Sequence, residues 1–84
     1  MINDKEKDKL IYIFCFLEKL YKDNEKAVKR YKEQKSIVRH LNKQIINLGL
    51  LQLVIVNLLG YDDYELFIEE VIKKSGWKDI WETI

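Results

Sequence analysis

The stretch LIYIFCFLEKLYKDNEKAVKRYKEQKSIVRHLNKQIINLGLLQLVIVNLL, residues 10–59, decides the fold. Within it Leu10, Ile13, Leu17, Leu20, Asn24, Ala27, Tyr31, Gln34, Val38, Leu41, Ile45, Leu48, Gln52, Ile55 and Leu59 recur at alternating spacings of three and four. Twelve of these fifteen are apolar or aromatic, so they form one continuous helical stripe. The spacing predicts an all-α fold. Leu10–Leu17 and Leu48–Leu59 are apolar almost all round, the mark of helices buried on several sides. Residues 22–43 are amphipathic, with lysines turned away from Ala27, Tyr31, Val38 and Leu41.

Two architectures fit. The favoured one is a compact bundle of four to five short helices, breaking near Asp23-Asn24 and near Asn47–Gly49, and dimerised through apolar helix faces. The other is a long-helix coiled-coil dimer. Leu10–Leu17 and Leu53–Val56 are also rich in strand formers, but Glu18-Lys19-Leu20 continues the helical spacing.

Outward from this stretch the signals are local. Asn3 with Glu6 matches a capping box at the start of the first helix. After Gly60, Asp62 with Glu65 suggests a second cap. Tyr64, Phe67, Ile68, Val71 and Ile72 then share a face up to Ser75-Gly76. Trp77, Ile80, Trp81 and Ile84 fall on a last short helix. Residues 1–84 read as one helical domain.

The chain has 84 residues, no proline, three glycines and 35% charged residues, a composition that excludes disorder and low-complexity sequence. A domain this small often needs a disulfide, a metal or a second chain to be stable. Cys15 is the one cysteine and His40 the one histidine, so neither an internal disulfide nor a Cys/His zinc site is available. A homo-oligomer is the remaining expectation. Leu48, Leu51, Ile55, Leu58 and Leu59 are the expected self-association residues, because they offer more apolar faces than so short a chain covers.

Neither apolar run reaches the roughly twenty residues of a membrane span, and no signal-peptide pattern opens the chain. The expectation is a soluble, cytoplasmic protein without a membrane partner. The net charge of +1 hides an asymmetry: residues 19–43 carry nine Lys or Arg and three acids, and residues 44–84 carry three Lys and seven acids.

Catalytic sets are poorly supplied. Ser36 and His40 lie one helical turn apart on a basic helix, which reads as a solvated pair. Asp62, Asp63, Glu65, Glu69 and Glu70 lack the histidines of a di-metal bundle and the glycine of a calcium loop. The three glycines are too scattered for a phosphate loop. No catalytic, metal or cofactor residue is therefore assigned, and the chain is read as non-enzymatic.

The expected function is a protein-binding adaptor or inhibitor acting through a helix face, of the general character of proteins that phages and mobile elements encode. Tyr61, Tyr64, Trp77 and Trp81 are the candidate partner anchors, since such rings dominate interface hot spots. The second reading is a nucleic-acid-binding regulator that uses the basic face Lys26, Lys29, Arg30, Lys32, Lys35, Arg39 and Lys43. A structural subunit and an immunity or antitoxin protein complete the alternatives.

Overall fold

A computed structural model describes residues 2–84. Four α-helices follow in order, with no strand among the described residues: α1 (Asp4–Arg30), α2 (Lys35–Leu58), α3 (Tyr64–Phe67) and α4 (Lys78–Thr83). Between α3 and α4, Ile68–Lys73 continue α3 as a π-helical segment. The all-α class expected from the heptads holds. The first two helices, of 27 and 24 residues, are longer than the short segments expected.

The expected breaks are corrected. α1 passes through Asp23-Asn24, where the Asn24 side-chain amide donates to the Leu20 carbonyl at 2.8 Å and stays within the helix. α2 passes through Gly49, whose neighbour is the Tyr21 ring. The chain reverses instead at residues 31–34, where Tyr31 N–H closes α1 on the Ala27 carbonyl and Gln34 N–H bonds the Tyr31 carbonyl. No glycine, proline or side-chain cap marks this turn. Tertiary pairing sets it. A stripe running from Leu10 to Leu59 buries itself fully only when folded at its midpoint, which falls at Gln34-Lys35. The cross-contacts agree, with Gln52 of α2 reaching Phe14 and Glu18 of α1. The stripe therefore closes within one chain. Thirteen of its fifteen residues are buried or half-buried, Ile13 and Gln34 being exposed.

The core sits at one end of this hairpin. Its buried apolar residues are Ile11, Phe14, Cys15 and Leu17 of α1, Ile55 and Val56 of α2, and Phe67, Ile68 and Ile72 after them. Every residue from 19 to 51 is half-buried or exposed. The molecule measures 45 × 24 × 20 Å, with a three-layered end and a two-helix end.

A Schellman turn brings the third layer back over the hairpin. Gly60, at φ 90°, lets Gly60 N–H reach the Asn57 carbonyl and Tyr61 N–H reach the Val56 carbonyl, at 3.0 and 3.1 Å. Asp63 then caps α3, its Oδ1 accepting from Glu65 N–H at 2.9 Å and Leu66 N–H at 3.4 Å. The expected cap at Asp62 is thus displaced by one residue. The i→i+5 geometry of the π-helical segment sets residues five apart on one face. Phe67 and Ile72 consequently both enter the core.

Candidate functional site

The outward side of α2 is the feature the fold leaves unfinished. Ile46 is 62% exposed, Leu50 56%, Val54 53% and Leu58 56%, with Leu51 and Leu53 also half exposed. The heptad stripe already turns Leu41, Ile45, Leu48, Gln52, Ile55 and Leu59 inward, so α2 carries a second apolar face at the same period. Large exposed patches rimmed by polar groups mark interaction sites. Beside this face, Leu20 and Asn24 of α1 meet Gln44, Asn47, Leu48 and Leu51 of α2 around a shallow groove of about 310 Å³. No residue of the third layer lines that groove.

Of the expected self-association residues, Leu51 and Leu58 lie on the exposed face. Leu48 and Leu59 are half-buried against the core, and Ile55 is inside it. Ile55 is therefore removed from that surface: its side chain is consumed by the chain's own packing. Ile46, Leu50, Leu53 and Val54 were missed. Their signal was present in the sequence as a second period-3.6 stripe beside the first.

α2 is also longer and more apolar than the expectation from uninterrupted runs. Treated as one helix, it contains an 18-residue window of mean hydropathy 1.3 that meets the length and composition of a membrane span, with 17% of that window buried. Gln52 and Asn57 did not interrupt the helix, so the run Leu48–Leu59 alone underestimated it.

The four aromatic candidates are committed to packing rather than held out as free anchors. Tyr61, Tyr64, Trp77 and Trp81 are half-buried against the core. Trp81 stacks on Phe14 with centroids 6.0 Å apart, and the Lys22 ammonium lies 5.5 Å from the Trp81 ring. Tyr64 lies 5.7 Å from Phe14, and Tyr61 meets Phe67 edge-on at 5.5 Å.

The basic residues Lys26, Lys29, Arg30, Lys32, Lys35, Arg39 and Lys43 are all exposed, and they gather around the two-helix end where the hairpin turns. The acidic C-terminal segment does not neutralise them within the chain. Among the described residues the one ion pair is Lys78–Glu82, at 3.9 Å.

Glu18 is a buried carboxylate in the three-layered end. Gln52 Nε2 and the Tyr64 hydroxyl both donate to its Oε2 at 3.4 Å, joining α1, α2 and α3. Burial, together with the Glu18 charge, pushes the Cys15 thiol up to about 11 and raises the Tyr64 hydroxyl well above its ordinary range. Every buried side-chain nitrogen or oxygen among the described residues has a partner. This cluster is satisfied, closed and structural in its geometry. His40 Nε2 meets the Gln44 amide at 3.0 Å on the exposed side of α2. Among the described residues no group of three or more His, Cys, Asp or Glu side chains is placed to hold a metal ion.

No family model matches this chain, and no curated protein or solved structure matches it.

Proposed function

We propose that the protein is a non-enzymatic binding protein, an adaptor or inhibitor, whose interaction site is the outward face of α2. The observation that carries this reading is the exposure of Ile46, Leu50, Leu51, Leu53, Val54 and Leu58 on one helix. Burying a leucine-sized side chain stabilises by about 1.5–3 kcal/mol, so leaving six of them wet favours any surface that covers them. Lys43 borders the apolar stretch on one side, and Asn47 and Asn57 interrupt it near its two ends.

The test is site-specific photo-cross-linking in the producing cell. A photoreactive side chain at Leu51 or Leu58 is expected to yield adducts with another polypeptide, and one at Lys29 is not. Equal yields at all three positions, or none, contradict the reading.

One observation favours a second reading. The exposed lysines and arginines gather at the hairpin end without intramolecular acidic partners. Such a cluster is suited to neutralising phosphates, and binding of duplex or single-stranded nucleic acid would then weaken steeply with salt. A flat salt response removes phosphate contact from the account.

A further inference from the structure

We propose that the occupant of the outward α2 face is a second copy of this chain, docked antiparallel about the level of Gln52. This inference rests on the reading of that face as an interaction site and names its partner.

The order of side chains along α2 is close to symmetric about Gln52. Counting outward from the level of Gln52, Leu50 is matched by Val54 and Asn47 by Asn57 along the middle of the face, while Leu51 and Leu53, two residues apart, lie on its opposite flanks, as do Ile46 and Leu58. An antiparallel pair with its two-fold axis at this level sets Leu50 and Asn47 against Val54 and Asn57 of the other copy. Leu50 then meets Val54, and Leu51 and Leu53 each approach their own copy at the two flanks. Each asparagine meets an asparagine, whose amide supplies both donor and acceptor, and none is buried against a leucine. A slip of one turn in either direction loses that matching.

Charge favours the same direction. Arg39 and Lys43 continue the outward stripe ahead of Ile46, at spacings of four and three. Both are exposed. A parallel pair would stack these cations on their own copies, where like charges repel. The antiparallel pair sends them to opposite ends. There each set approaches the turn that directly follows the other copy's α2, which carries the exposed acids Asp62 and Asp63. The same stripe thus specifies direction as well as register.

The exposed area suits a dimer contact. Half or more of each of the four side chains Ile46, Leu50, Val54 and Leu58 is accessible. Together with Leu51 and Leu53 the patch reaches several hundred Å², and the adjoining groove extends it toward the about 800 Å² per partner that stable interfaces bury.

Four measurements test the proposal. Sedimentation equilibrium at about 50 µM is expected to give twice the chain mass of 10.2 kDa for the natural sequence. The double substitution L50E/V54E is expected to give the single mass with its helical circular dichroism unchanged. A spin label on Lys35→Cys, combined with Cys15→Ala, is expected to report an inter-copy distance of about 50 Å, from the 1.5 Å rise per residue. A parallel pair would place the labels near the about 10 Å helix spacing. Asp62→Lys is expected to weaken the dimer, and Arg39→Glu added to it to restore it. Asp62 is chosen because Asp63 caps α3.

A monomer for the natural sequence, a dimer that survives L50E/V54E, or a short label distance overturns the proposal. Vesicles of phosphatidylcholine and phosphatidylglycerol distinguish the failures. A monomer that binds them, and loses binding in L50E/V54E, overturns the second copy and keeps the face as a docking surface. A monomer that shows neither vesicle binding nor cross-links at Leu51 and Leu58 overturns both.

Discussion

At the scale of single residues, two glycines of the same composition have opposite expected responses. Gly49 lies inside α2, and an added Cβ would meet the Tyr21 ring at 4.0 Å, an ordinary contact. Gly49→Ala is expected to raise stability in urea unfolding by about 0.5–1 kcal/mol, since glycine costs a helix interior that much. Gly60 has open space around it but φ of 90°, a conformation that side chains resist. Gly60→Ala is expected to lower stability by about 1–2 kcal/mol. Reading glycine as a helix end is correct at position 60 and wrong at position 49. The difference is φ, which composition does not reveal. Cys15 supplies the pH prediction. Its thiol is raised in the folded chain to about 11, so the folded state holds its proton where the unfolded state has begun to lose it. The resulting stability is fully present below the unfolded value of 9.0 and is lost as pH rises from there through about 11. Tyr64 is raised by the same causes, burial first and then Glu18, and adds loss above pH 10.0. Urea midpoints measured from pH 8 to pH 11 are expected to fall, and labelling of Cys15 by a thiol reagent at pH 8 is expected to be far slower than in urea. A flat midpoint or rapid labelling would place Cys15 outside the core.

At the scale of elements, the Phe14 ring and the Glu18 polar cluster are two of the contacts that hold the third layer to the hairpin. Phe14 is fully buried, lies 4.8 Å from Phe67 and stacks on Trp81. Phe14→Ala is expected to cost about 3–5 kcal/mol, with the Trp81 emission shifting toward that of a solvated indole. Tyr64→Phe removes one of the two side-chain donors to Glu18 and is expected to cost about 1 kcal/mol in unfolding measurements. The helices themselves were legible: Asn3 caps α1 by accepting from Glu6 N–H at 2.8 Å, as the Asn3/Glu6 pattern implied. The turn at 31–34 was not. Lys32, Glu33 and Gln34 carry no breaking chemistry, while Asn24 and Gly49 do, yet the helices ignore both. Local preference of about 1 kcal/mol per residue yields when a stripe of fifteen positions can be buried by folding elsewhere. The two stripes of α2 show the same limit. Periodicity revealed that α2 was apolar on more than one side, and only the fold showed that the Leu48/Gln52/Ile55 side faces α1 and the Leu50/Val54 side faces out.

At the scale of the whole molecule, charge and grease are sorted along the long axis. Cations gather at the two-helix end, the core and the acidic segment lie at the other, and the outward apolar face of α2 runs between them. On the proposed reading, a chain so built acts through that surface. Raising salt is expected to weaken self-association modestly, since apolar contact supplies most of it and only the ends carry charge. The most direct measurement is the mass of the natural chain beside that of L50E/V54E, by sedimentation equilibrium at one concentration. The account predicts a mass for the natural chain twice that of the variant, with equal helicity in both. Equal single-chain masses would contradict it.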